Sequence, residues 1–161
     1  MKTQIIFAVD PNLRTAGSTE LRVFQLISLL EEFHGNELTF SVSSLHKPKH
    51  FRQVIWALRQ PVGSVVIFSK WSLLRLRQNT LDILRRKGVR TCIDYVDIDL
   101  REALKFNPDV HLAASISAHT ALNSLTTGQR SPEAKIMLLH HNLDARMYTS
   151  HSCPNDRPRP V

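Results

Sequence analysis

The side chains able to do chemistry in this chain gather in short stretches between apolar runs. Cys92-Ile-Asp-Tyr-Val-Asp-Ile-Asp-Leu100 places Asp94, Asp97 and Asp99 just past one such run. One carboxylate of the set can act as a general base or hold a ligand hydroxyl, and two can share a magnesium ion. An acidic turn that caps the next helix is the plainer use of the same residues. His140-His-Asn-Leu-Asp-Ala-Arg146 brings two histidines close to Asp144 and Arg146. That spacing matches no zinc pattern and no cysteine pair supports it, so a metal is not expected. His140 or His141 is expected to end a strand with one ring nitrogen on the backbone, and Asp144 and Arg146 to pair or to touch a ligand. Asp10-Pro-Asn-Leu-Arg-Thr-Ala-Gly-Ser18 opens onto a helix whose first amides favour an anion. Gly17 lets the backbone approach closely there. Arg22, in the first turn, is a cation at the wrong end of the helix dipole unless a phosphate or carboxylate sits beside it. The alternative is a solvated Arg22 and a glycine needed only for its turn.

Several chemistries are argued against by what is missing. Neither G-x-G-x-x-G nor G-x-x-x-x-G-K-[ST] occurs, which disfavours a simple dehydrogenase and a P-loop NTPase. Ser115 has no G-x-S-x-G elbow around it, so a hydrolase is poorly supported. Ser69-Lys70-Trp71 stands where a response regulator needs an aspartate after its third strand. The segment Trp71–Lys87 reads as one helix. Leu73, Leu74, Leu76, Leu81, Ile83 and Leu84 fall on one half of its wheel, with Arg75, Gln78, Asp82, Arg85 and Arg86 on the other. The plainer reading is a core-facing helix with a solvated basic face. The sharper one is a surface for anionic lipid headgroups, with Arg75, Arg85 and Arg86 facing the membrane. Nucleic acid rests on charge alone, since no RNP, KH or zinc signature accompanies it.

The elements that must position these residues alternate between two kinds. Short runs rich in β-branched residues, Gln4–Val9, Leu38–Val42, Ser64–Phe68, Val89–Tyr95, Val110–Ala114 and Lys135–Leu139, read as buried strands. Between them Thr19–Phe33, Lys49–Leu58, Trp71–Lys87, a short stretch near Leu100–Lys105 and Ile116–Leu125 read as helices. Six strands alternating with helices predict an α/β fold: one Rossmann-like domain over residues 1–147 with a mostly parallel six-stranded sheet and helices on both faces. Residues 148–161 are polar and proline-rich, and read as a linker or tail. The whole chain is 161 residues, with room for one core, and its 42% hydrophobic and 22% charged residues exclude a disordered chain. No apolar run is long enough to span a bilayer. Twenty-one Lys and Arg against 14 Asp and Glu give a net charge of +7, which favours anionic partners. Two cysteines make no disulfide framework, and Cys92 reads as a reduced core thiol, which fits a cytoplasmic location.

Five segments, taken in order, carry a resemblance. They are Ala16-Gly-Ser-Thr-Glu-Leu-Arg-Val23, Asn36-Glu-Leu-Thr-Phe-Ser-Val42, Cys92–Leu100, Asn107-Pro-Asp-Val-His-Leu-Ala-Ala-Ser-Ile-Ser117 and Lys135–Arg146. The chain from about residue 3 to 146 resembles the N-terminal, acceptor-side half of GT-B glycosyltransferases, the group-1/family-4-like enzymes of polysaccharide and glycolipid assembly. It departs from them in having one glycine in the first loop rather than two. The family's E-x-seven-E motif is also missing, since it belongs to the second domain. The resemblance implies a nucleotide-sugar donor as substrate, a glycan or lipid-linked acceptor, no metal or other cofactor, and a C-terminal domain or partner subunit that completes the donor site. Without it no sugar should be transferred, because one side of that site is open to water. The resemblance further implies that Gly17, Ser18 and Arg22 face the donor phosphates or the acceptor, with Ser115, Asp144 and Arg146 also binding substrate. Asp97 and His140 line the cleft as the catalytic candidates. The location it implies is cytoplasmic and peripheral, at the inner face of a membrane. The competing reading is a non-catalytic α/β binding module for a phosphorylated ligand or a protein partner, complete within this chain.

Overall fold

The computed structural model describes residues 2–13, 19–45, 50–95, 105–126 and 135–138. Within them lie six strands: β1 (Thr3–Val9), β2 (Leu38–Ser44), β3 (Val65–Phe68), β4 (Arg90–Tyr95), β5 (Val110–Ala113) and β6 (Lys135–Leu138). All pair in parallel in the order β2-β1-β3-β4-β5-β6. Five α-helices accompany them: α1 (Gln25–His34), α2 (His50–Arg59), α3 (Lys70–Leu73), α4 (Gln78–Arg86) and α5 (Ile116–Thr126). The α/β, Rossmann-like fold expected from the alternating runs is the fold observed.

Strand side chains alternate between the two faces, and the core divides accordingly. Ile6, Ala8, Val66, Phe68, Ile93, Tyr95 and Ala113 pack on one face with Ala57 of α2, Leu73 of α3, Leu81 and Leu84 of α4, and Leu122 of α5. Phe7 and Val9 pack on the other with Val23, Leu26 and Ile27, which belong to α1 and the turn before it. The chain starts one strand in from the edge of the sheet, steps out to β2 under α1, then returns across β3 to β6 over the opposite face. Right-handed crossovers require that change of face when the direction reverses.

Two elements differ from the sequence reading. The helix expected from Thr19 begins with a π-helical turn, Glu20–Phe24, before α1. A π turn takes in one more residue than an α turn, and such turns recur at functional sites. The helix expected over Trp71–Lys87 is two helices. Arg77 between them is extended (φ −123°, ψ 146°). A continuous helix would spend the Arg75 carbonyl on its own ladder. Here Gln53 of α2 donates to that carbonyl from Nε2 at 2.6 Å, and Thr80 donates to Gln53 Oε1 at 2.8 Å. At the break Leu73 and Leu76 are buried in the core and Leu74 is exposed. The C-terminus of α4 closes as expected at Gly88, which has φ +77°. Val89 N–H donates to Leu84 O and Gly88 N–H to Arg85 O, both at 2.9 Å, the paired bonds of a Schellman turn.

Candidate functional site

In a doubly wound sheet a crevice opens at the carboxyl ends of the strands where the chain reverses direction. Here that point lies between β1 and β3. Ala8, Phe68 and Ile93 share one rung of the sheet. The next rung therefore places Val9, Ser69 and Asp94 side by side at the lip. Ser69 continues the ladder past the end of β3, its N–H donating to Ala8 O at 3.3 Å and its hydroxyl to the same oxygen at 3.1 Å. Ser72, buried below, donates its hydroxyl to Ser69 O at 2.7 Å.

Two ion pairs flank this lip, one on each face. On the α1 face the π turn delivers Arg22 to Asp94. Nε donates to Oδ2 at 3.0 Å and Nη2 pairs with Oδ1, a two-point contact between buried side chains. On the α3 face Arg75 Nε lies 2.5 Å from Asp10 Oδ2. The other Asp10 oxygen accepts the Asn12 N–H at 2.9 Å and holds the 3-10 turn Pro11–Leu13. Asp10 follows β1 and Asp94 lies near the end of β4, two places away in the sheet, about 10 Å at ordinary strand spacing. Gln53 fixes the backbone of Arg75, so α2 positions the second pair through the main chain. Both carboxylates are thus matched by a guanidinium, and the four groups together carry no net charge.

Arg22 answers the question its position raised. The anion that offsets a cation in the first turn is Asp94 of the same chain, 72 residues on. Asp94 is the one of the three aspartates that the structure describes; Asp97 and Asp99 lie outside the described residues. Gly17, Ser18, His140, Asp144 and Arg146 also lie outside them, as do the helix expected near Leu100 and the tail from 148. Ser115 sits before α5, where its hydroxyl accepts the Ala118 N–H at 3.1 Å and lies 2.9 Å from the Ser117 hydroxyl. That is the geometry of a helix N-cap. Of the three arginines weighed for a membrane face, Arg85 and Arg86 are exposed, whereas Arg75 turns inward onto Asp10. Arg85 is engaged by Asn107 O at 2.6 Å and Asp109 at 3.4 Å.

Three features had no place in the sequence reading. The Asp10–Arg75 pair was hidden by assigning Arg75 to the solvated half of an unbroken helix. The Gln53–Thr80 bond was hidden because a glutamine on an amphipathic helix reads as a surface residue. The third is a buried pair, Tyr95 OH to His111 Nδ1 at 2.6 Å, with the two rings stacked at 5.5 Å between centroids. The alternation along β5 could have found it, since His111 shares a face with Ala113 and a rung with Ile93. Burial lowers the His111 pKa to about 4 and pushes the Tyr95 hydroxyl up, so the ring is neutral at neutral pH. Cys92 is buried as expected, and burial pushes its thiol up to about 12, far from a reactive thiolate.

Among the described residues no three His, Cys, Asp or Glu side chains converge as a metal site needs. Among them, too, no helix is long and apolar enough to cross a membrane. No protein-family model, curated protein or solved structure matches the chain.

Proposed function

We propose that this chain is the acceptor-side half of a nucleotide-sugar-dependent glycosyltransferase of the GT-B kind, acting in polysaccharide or glycolipid assembly. The observation that supports it is the pair of buried Arg–Asp contacts flanking the chain reversal at the carboxyl edge. A rim of alternating donors and acceptors with no net charge suits hydroxyl-rich ligands, because each sugar hydroxyl both donates and accepts. It offers less to a free phosphate, whose attraction to Arg22 and Arg75 is offset by Asp94 and Asp10. The donor diphosphate therefore falls to a second domain or subunit, and this half orients the acceptor. In this reading Gly17, Ser18, Asp144 and Arg146 bind substrate, Asp97 and His140 are the catalytic candidates, and Ser115 caps α5. The protein works in the cytoplasm at the inner face of a membrane.

The test is an amide-shift titration of the chain with oligosaccharide acceptors and, separately, with nucleoside diphosphate hexoses. Acceptors are expected to move the amides of Thr19, Arg22, Ser69 and Asp94, and nucleotides to bind only weakly. Shifts confined to the amino edge of the sheet, or none with any sugar, overturn the reading. One observation favours a second reading. The two described carboxylates of the edge, Asp10 and Asp94, are both held by arginines and neither is poised as a general base. A non-catalytic binding module would bind its phosphorylated ligand tightly with these 161 residues alone.

A further inference from the structure

β2 is an outermost strand built like a central one. It runs seven residues, Leu38–Ser44, as long as β1, whereas β6 at the other side of the sheet has four. Outermost strands are ordinarily kept short, charged or broken by proline, because their free main-chain groups invite another strand. Leu-Thr-Phe-Ser-Val-Ser-Ser has no charge, no proline and no glycine. All seven residues pair in unbroken register with β1, so no bulge turns the strand away. None of them is fully buried.

The free groups can be named. Thr3 N–H donates to Glu37 O at 3.2 Å and Leu45 N–H to Val9 O at 2.8 Å. In a parallel ladder these two bonds fix the alternation, so Thr39, Ser41 and Ser43 direct their main-chain groups to β1. Leu38, Phe40, Val42 and Ser44 direct N–H and C=O outward, where no described residue meets them.

These outward groups are self-complementary. An antiparallel second copy with its two-fold axis at Ser41 sets Leu38 opposite Ser44 and Phe40 opposite Val42, so every outward N–H and C=O gains a partner. Phe40 and Val42, on the α1 face, form an aromatic pair with a β-branched residue. On the α2 face Thr39 meets Ser43 and Ser41 meets its own copy, hydroxyl against hydroxyl. The helices permit the approach. α1 crosses from β1 to β2, so its two copies stand two strand spacings apart, about 10 Å, an ordinary helix-packing distance. α2 crosses from β2 to β3, and its copies stand three spacings apart, about 14 Å. Arg52, Trp56 and Arg59 share the side of α2 that is turned toward β2, where Trp56 Nε1 donates to Ser43 Oγ at 2.7 Å. The like charges of Arg52 and Arg59 oppose the approach, but both are exposed and have that gap of solvent to turn into.

We propose that the chain forms a two-fold dimer by antiparallel pairing of β2 with β2 of a second copy, which joins the two six-stranded sheets into one. The two carboxyl edges then point in opposite directions, and each crevice stays open. The inference rests on the free side of β2 and does not depend on the glycosyltransferase reading.

The test is sedimentation equilibrium of the full chain over a wide concentration range, joined to amide hydrogen exchange. A monomer–dimer equilibrium is expected. The amides of Leu38, Phe40, Val42 and Ser44 should exchange fast in the monomer and slowly in the dimer, with those of Thr39, Ser41 and Ser43 slow in both. Ser41→Lys and Ser41→Glu each set like charges face to face and should weaken the dimer roughly tenfold or more. Mixing the two variants should restore pairing as a heterodimer. Ser44→Pro removes an outward N–H and no bond to β1, and should weaken the dimer about tenfold for the two bonds lost. Far-UV circular dichroism verifies that the variants are folded, and Ser44→Pro serves if a charge at Ser41 unfolds the chain. A monomer at every concentration overturns the proposal, as does a dimer that none of these variants weakens. So does a mixture of the two charge variants that stays monomeric, or a dimer that Phe51→Ser on the exposed side of α2 abolishes. Dimerisation can fail while the acceptor titration at the carboxyl edge succeeds, and the reverse, so the two readings are separable.

Discussion

The two edges of the sheet use the same pair of residue types for different ends. At the amino edge Arg85 meets Asp109 at 3.4 Å with side chains 42% and 34% exposed. Asp109 also accepts from the Thr91 backbone at 2.7 Å and from its hydroxyl at 2.8 Å, so it latches the starts of β4 and β5. At the carboxyl edge Arg22 and Asp94 are 8% and 9% exposed and meet at two points. Water screens the first pair and is excluded from the second. The first pair can therefore be lost at little cost, whereas the second commits two charges to the interior. An edge that merely closes a domain needs only the first arrangement. Two desolvated pairs around one crevice fix the shape of a rim before any ligand arrives.

That contrast is open to direct attack. The largest effect is expected from Asp94→Ala, which strands the buried Arg22 guanidinium and should cost about 3–5 kcal/mol in urea unfolding. Replacing both partners, as in Arg22→Met with Asp94→Leu, should recover most of that loss. If Asp94→Ala costs no more than an exposed pair, the two edges are alike and the comparison fails. Next is the pH dependence set by His111 beneath the carboxyl edge. Its pKa is about 4 in the folded chain against 6.5 when unfolded, so the unfolded chain binds the proton first. Stability is complete above pH 6.5, falls as the pH drops and levels off below about 4, a total of about 3 kcal/mol. His111→Gln should remove that part of the slope when unfolding midpoints are measured across the same range. Ser115→Ala removes the cap of α5 and should cost about 1 kcal/mol, read as a lower melting temperature. Arg85→Ala should be smallest, within about 0.5 kcal/mol, and its effect should vanish in high salt.

The strands were legible because they are short, mostly apolar runs, as in Val65–Phe68, which is rich in β-branched residues and stops at Ser69. Val65–Phe68 and Arg90–Tyr95 begin within a residue of the expected positions. Parallel order followed from the helices between them. The break at Leu74–Arg77 was not legible, because the leucines on both sides keep helical spacing. The break is decided by Gln53, 22 residues earlier, and by Asp10 at the end of β1. The site was half visible. Arg22 was recognisable as a cation in need of an anion, yet its partner could be found only from the strand order that brings β4 beside β3 and under the π turn. The exposed apolar residues of α2, Phe51, Ile55 and Leu58, were missed for a related reason. Periodicity reveals that a helix has two sides without revealing which one a distant carbonyl will claim.

The separation between Arg22 and Asp94 has a consequence for how the molecule is made. The two stand 72 residues apart, and the strands between them are added one after another along the chain. On the ribosome, at about 5–20 residues per second, Arg22 waits roughly 4–14 s for its carboxylate to be synthesised. Until β4 emerges, the π turn holds a charge it cannot bury, and α1 cannot seat fully on β1. The first helix to be translated is thus among the last to lock, and any chaperone that grips the nascent chain would find its apolar face still open.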